Sequence, residues 1–306
     1  MIAFALRRAA ASVPTLFLIV TASFFAIRLA PGGPFEASQG LPPSVEANLE
    51  AAYGLDQPLP VQYGRYLAGL LHGRFGPSLS VRDVEVSELI ARGLPVSATV
   101  GLAALAVSLI AGIPLGIGAA LQQGRLLDHV ATGIAVLVLA LPGFVVGPAL
   151  ALAFGVHLHW FAAGGWALDV RHLALPILTL ALPTLAYLAR LTRGSLLEVL
   201  RADYIRTARA KGLPERQVIL RHALRPALLP VVSFLGPVVA AVLTGSLVVE
   251  SVFGLPGTGR YLVEGAIDRD YPLVMGMVIL YGALTLAANL AADLLHGWLD
   301  PRVRHG

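Results

Sequence analysis

The residues that could carry chemistry in this chain are few and scattered. His157 and His159 stand two apart beside Trp160. Two imidazoles at i and i+2 could hold a metal only with further ligands, and a place at a membrane interface accounts for them more simply. Gly254-Leu-Pro-Gly-Thr-Gly259 is glycine-rich, but no strand leads into it and no lysine follows, so it lacks the parts of a phosphate loop. HExxH, GxSxG and GxxxxGK[ST] occur nowhere in the 306 residues, leaving zinc hydrolysis, an elbow serine and a bound nucleotide without their usual scaffolds. With no cysteine there is no disulfide, thiolate metal site or cysteine nucleophile. The expectation is a chain that is not an enzyme and has neither cofactor nor metal of its own.

What the side chains can do is dock. Segment 190–227 reads RLTRGSLLEVLRADYIRTARAKGLPERQVILRHALRPA, with nine basic and three acidic residues, more than a tight connection requires. Leu196, Leu200, Tyr204 and Ala208 recur every four residues and predict one helical face. Lys211-Gly212 supplies a cation and a stop, and Leu213-Pro214 restarts a helix that carries Val218, Ile219 and Leu224 up to Arg225-Pro226. Such a hairpin offers an apolar knob with a basic rim to a groove on another protein. A positively charged loop with no docking role is the plainer alternative, and the periodicity and punctuated stop favour docking.

The elements that must hold this hairpin are apolar. The chain is 57% hydrophobic and 13% charged, with a mean hydropathy of +0.76, which excludes an ordinary soluble domain. Six stretches, 9–27, 94–121, 130–155, 173–189, 228–249 and 272–292, hold essentially no interior charge. Each approaches the roughly 20 residues that a helix needs to cross a bilayer. The alternating pattern of a β-barrel is absent, so the expected fold is an all-α polytopic membrane protein of six transmembrane helices. The first stretch follows Arg7 and Arg8 as a signal peptide would and is read as an uncleaved span. Fourteen of the 22 basic residues fall on the side that holds both ends and segment 190–227, predicting that side to be cytoplasmic.

Segment 30–93 is then an extracytoplasmic loop, with short helices predicted over 44–53 and 58–71 and with Tyr63, Tyr66 and Phe75 expected at headgroup level. Glycine and proline cluster at 112–118 and 141–148 and at Pro176 and Pro183. Each position suits helix packing, and the cluster as a whole suits a pathway. Arg28, Arg190, Glu250 and Asp293 lie near span ends, so no buried carboxylate or histidine at mid-membrane supports an ion-driven carrier. Any energy for transport is expected to come from elsewhere.

TARAKGL, residues 207–213, resembles the EAA coupling loop of ABC importer permeases, although Arg206 stands where that motif carries its glutamate. The wider pattern, RRAAASVPTLFLIVTASFFAIRLAPGGPF (7–35), GRFGPSLS (73–80), RGSLLEVLRADYIRTARAKGLP (193–214), ILRHALRPALLP (219–230), ESVFGLPGTG (250–259) and DPRVR (300–304), resembles the B-type permease of oligopeptide and dipeptide importers, the OppB/DppB type. The resemblance implies a type I ABC importer permease fold in a bacterial inner membrane. It also implies a heterodimer with a second permease, two cytoplasmic ATPases that use the ATP, an extracytoplasmic binding protein and a peptide substrate. It assigns ATPase coupling to Tyr204, Thr207, Ala208, Ala210, Lys211, Gly212 and Leu213, and a binding-protein-facing loop to Glu250, Phe253, Gly254, Pro256 and Gly257. Relatives of this family move nickel, opines or other small solutes, and that alternative stays open beside the weaker one of an ion-driven carrier.

Overall fold

Backbone groups removed from water must find partners within their own segment, so the apolar stretches become helices, and their flanking residues decide where each one ends. The computed structural model describes residues 2–29, 33–34, 42–244 and 247–299. Helix α1 spans Ile2–Leu29. Two short helices follow, α2 over Pro43–Tyr53 and α3 over Leu59–Leu71. The first ends on Gly54, at φ +65°, where the amides of Gly54 and Leu55 reach back to the carbonyls of Ala51 and Glu50. Helix α4 runs over Val86–Leu121 and α5 over Leu126–Ala140. Next, α6 over Gly143–Leu150 widens into a π-helix at Ala151–His157. Helix α7 covers Val170–Leu200 and α8 Asp203–Ala210. After α9, Glu215–Gln217, a π-helical stretch Val218–Ala223 leads through α10, Leu224–Ala227, into α11, Leu229–Leu243. Helices α12 (Leu247–Phe253), α13 (Thr258–Ile267) and α14 (Tyr271–Leu299) complete the order.

Four of these helices, α1, α4, α7 and α14, are long and apolar enough to cross a membrane. Two bent pairs, α5 with α6 and its π-helical extension, and 215–227 with α11, pass the same test of length and composition only when joined, which gives up to six among the described residues if each pair is counted as one span. Several bounds differ from the apolar stretches. Segment 130–155 is not one rod: it bends by 103° at Leu141-Pro142. Proline has no amide to donate and drives the residue before it out of the helical region; Leu141 is extended at ψ 125°, and the Pro142 carbonyl restarts the helix by accepting from Val145 at 2.9 Å. Helix α7 continues beyond residue 189 to Leu200, because its last turns are covered by protein rather than by lipid, with Thr192 and Leu196 fully buried. Apolarity marks what faces lipid; it does not mark where a helix ends. Segment 228–249 holds the whole of α11 and the start of α12, with residues 245–246 outside the described set.

The bundle is held by close approach of small residues. A Cβ on Gly112 would lie 2.9 Å from the Leu185 carbonyl oxygen, and one on Gly116 would lie 2.5 Å from that of Ala189. These glycines therefore serve the α4–α7 seam. At one end of the bundle the starts of α4 and α14 pack together through Val86, Leu89, Leu273 and Met277, with Phe75 against them. Tyr63 and Tyr66 belong to this end and lie tilted against Phe24 of α1, with ring centroids 5.1 and 6.0 Å away, so their rings pack on the protein itself. At the opposite end the last turns of α4 and α7 meet α8. Arg8 of α1 pairs with Asp293 of α14 at 3.1 Å. Residues 300–306, with Arg302 and Arg304, lie outside the described set.

Candidate functional site

Helix α8 is built by what stops it. Ala202 is extended, at ψ 148°, which ends α7 and resets the helical phase before Asp203. The four-residue spacing of Leu196, Leu200, Tyr204 and Ala208 therefore does not form one continuous face. Ile205 and Ala208 point inward and are buried with Ala120, Leu196, Val218, Ala223 and Ala227, whereas Tyr204 is 48% exposed. Of the expected coupling residues, Tyr204, Thr207, Ala210, Lys211 and Gly212 stand on the surface, Leu213 is half-buried against the cluster, and Ala208 belongs to its interior.

The turn after α8 is fastened twice. Gly212 takes φ +76° and donates its amide to Arg209 at 2.9 Å. Across this turn Arg209 forms a two-point ion pair with Glu215, Nε to Oε2 at 3.0 Å and Nη2 to Oε1 at 2.6 Å. The guanidinium holds the Glu215 carboxyl below the usual carboxylate range. The base of the hairpin is tied to the bundle by Arg193 of α7, whose Nε and Nη2 both donate to Asp128 of α5, the latter at 2.8 Å. The Gly124 amide also donates to this carboxylate, at 2.9 Å. Neither ion pair was legible from composition; the signal for Asp128 is a lone acidic residue in the first turn of an apolar helix, facing an arginine-rich loop.

At the other end of the bundle the 250–259 turn folds around Glu250. Its Oε1 accepts from Ser97 at 2.7 Å and its Oε2 from the Arg260 amide at 3.1 Å. Ser97 lies 3.0 Å from Thr258 Oγ1 and accepts from the Thr258 amide at 2.9 Å. Burial pushes the Glu250 carboxyl up. Glu250, Phe253 and Gly257 are thus interior, with Gly257 leaving room for the carboxylate that a Cβ would meet at 2.3 Å for Oε2. These three offer no side chain to a partner, and the accessible part of the turn is Gly254, at φ +65°, with Pro256 half-buried. His157 and His159 point Nδ1 at the backbone oxygens of Leu152 and His157, at 2.9 and 3.2 Å.

The hairpin on one face and the turn folded around Glu250 on the other belong to one helical unit whose long helices are apolar enough to cross a membrane. Residues 112–305, which contain both, match the family described as binding-protein-dependent transport system inner membrane component. Residues 1–90 match its N-terminal counterpart. The chain belongs to this family. It is 48% identical to the oligopeptide transport system permease protein OppB of Escherichia coli (strain K12) over 306 residues, all of both chains. It is 42% identical to the dipeptide transport system permease protein DppB of Bacillus subtilis (strain 168), covering 98% of this chain and 97% of the other. The OppB/DppB type is therefore the one to which it is assigned. Its fold is similar to that of the inward-facing MetNI methionine ABC transporter, with a TM-score of 0.58 at 18% identity over 69% of this chain and 96% of the other.

As a binding-protein-dependent permease, the chain works in a system that implies, in general terms, a partner permease, ATPases and a binding protein; its relatives are inner-membrane permease subunits. One residue of the permease that sequence reasoning passed over is Asp270. It is fully buried and accepts Ser78 Oγ at 2.5 Å, the Leu79 amide at 2.8 Å and the Ser80 amide at 3.0 Å on one oxygen, while the other caps α14 through the Leu273 amide at 3.0 Å. The loop of GRFGPSLS is thereby clamped to the start of the last span. The hint was an acid directly before Tyr271-Pro272, an N-cap position.

Proposed function

We propose that the chain is a permease subunit of an ATP-driven importer of oligopeptides or dipeptides, forming half of a translocation pathway with a second permease. Full-length identity of 48% to an oligopeptide permease carries the substrate class. The surface of α8, with Tyr204, Thr207, Ala210 and Lys211 outward, supports docking onto two cytoplasmic ATPase subunits. In this reading ATP is bound and hydrolysed by those partners, and the permease has no cofactor and no nucleotide site. Closure of the ATPase pair pushes on α8. Because Ile205 and Ala208 are packed on the ends of α4 and α7, that push reaches the spans through a tight contact rather than through a slack loop. The end bearing α2, α3 and the 250–259 turn then faces outward and receives peptide from an extracytoplasmic binding protein, Gly254 and Pro256 being its accessible points. Both ends of the chain and segment 190–227 are cytoplasmic.

Reconstitution of the permease with its partner subunits in proteoliposomes tests this. Uptake of a labelled tripeptide should require external binding protein and internal ATP. Uptake driven by a proton or sodium gradient without the ATPases, or uptake of nickel in place of peptide, would overturn it.

A further inference from the structure

Beneath α2 and α3 lies a cavity of about 330 Å³ that the transport reading does not use. Three arginines line it, Arg28, Arg65 and Arg74, and no carboxylate does among the described residues. Arg28 is the inner one and is held in place. Its Nε donates to Gln62 Oε1 at 2.9 Å, and its guanidinium carbon sits 3.6 Å from the Phe24 ring centroid. Gln62 is oriented in turn, its Nε2 donating to the carbonyls of Leu55 at 2.9 Å and Gln57 at 2.8 Å. The α2–α3 connection is thus folded onto a half-buried cation that has no acidic partner among the described residues. The Tyr66 hydroxyl, also in the wall, is buried with no hydrogen-bond partner among the described residues.

A half-buried guanidinium beside two more arginines is costly to leave without counter-charge, and planar N–H forks match the oxygens of a phosphate. The depth of the cavity says where such a phosphate comes from. Arg28 is in the last turn of span α1, while Tyr271 and Pro272, also in the lining, open span α14. A cavity bounded by the end of one span and the start of another lies where the hydrocarbon gives way to headgroups. Helix α1 exposes Phe17, Leu18 and Leu29 along its length, as a helix bathed by acyl chains does.

We propose that this cavity binds the phosphate of an anionic phospholipid headgroup, with Arg28 as its fixed inner ligand and with Arg65 of α3 and Arg74 of the turn that follows α3 as the further cations of the lining. An occupant there would tie α1, α3 and α14 together at the outer surface. The proposal rests on the membrane orientation given above and not on the substrate.

The test uses the purified importer complex in nanodiscs of phosphatidylglycerol and phosphatidylcholine, with retained lipid counted by native mass spectrometry. Wild type should retain phosphatidylglycerol in preference. The double variant Arg65→Gln/Arg74→Gln should lose that retention by about tenfold or more, each arginine near a phosphate contributing on the order of a few-fold. Arg82→Gln, outside the cavity lining, should retain it. Arg65→Gln alone gives an intermediate value and serves if the double variant does not assemble. Unchanged retention in Arg65→Gln and the double variant, or an equal loss in Arg82→Gln, would overturn the proposal. Displacement of the lipid by millimolar inorganic phosphate would also overturn it, by showing a site for the free ion. Labelling that places residue 210 outside would overturn the outer-surface position of the cavity together with ATPase docking at α8, whereas normal lipid retention with no ATP-dependent peptide uptake would overturn the proposed function alone, which separates the two failures.

Discussion

Gly212 has nothing within 4 Å of where a Cβ would be, so a side chain there would clash with none of the described residues, and only the backbone objects. At φ +76° an L-residue with a side chain costs about 1 kcal/mol or more. Gly212→Val should leave membrane abundance at the wild-type level while lowering ATPase association and coupled uptake; immunoblots of membranes alongside co-purification and transport check both. Gly257 is the opposite case. Its backbone is extended, at φ −98°, and the obstacle is Glu250 Oε2 at 2.3 Å. Gly257→Ala should destabilise the turn by about 1–3 kcal/mol, the usual cost of overpacking, seen as a lower melting temperature and faster proteolysis near residue 257. The buried carboxylate explains why a glycine-rich run that resembles a phosphate loop in composition is a cradle for the chain's own glutamate.

The α8 hairpin, the proposed coupling element, is only as stiff as its fastenings. Glu215 has its carboxyl held below the ordinary value by Arg209, so the pair's contribution is present above the unfolded glutamate value of about 4.3 and is lost as pH falls through the lower folded value. Both partners are exposed, 41% and 56%, and such a pair contributes at most about 1 kcal/mol. Glu215→Gln should raise amide exchange at residues 211–213 at neutral pH, and the difference from wild type should vanish on acidification below that window. A difference that persists in acid would show that the turn does not depend on the ion pair. Asp128 and Arg193 form the deeper fastening, with side chains 6% and 28% exposed. Asp128→Asn should cost about 1–3 kcal/mol, less than for a fully buried pair because Arg193 keeps some water. The paired change Asp128→Asn/Arg193→Met should recover part of that loss in thermal melts.

Across the whole molecule, α1 and α14 run antiparallel. The Arg8–Asp293 contact therefore lies at the end that carries α8, and the Arg28 cavity at the other. A single cysteine at position 210 should accordingly react with an impermeant maleimide only in inside-out vesicles. The purified chain without partners should show no saturable nucleotide binding by equilibrium dialysis, since the proposed function assigns ATP to the partner subunits. Labelling of position 210 from outside intact cells would reverse the entire topology.

Apolar length and the glycine at 212 could be read in advance because they act locally: a helix in lipid satisfies its own backbone, and a missing Cβ tells on its own turn. The six apolar stretches and the resemblance of residues 207–213 were legible for that reason. Tertiary structure decided what local pattern cannot express. Ala202 breaks the chain between α7 and α8, so Ile205 rather than Tyr204 shares the interior with Leu196. Glu250 turned inward because Ser97, from α4, was there to meet it. Asp128 found Arg193 and Asp270 found Ser78 across separations of 65 and 192 residues. A polar group leaves water only where packing brings a partner to it, and that partner is chosen by the fold.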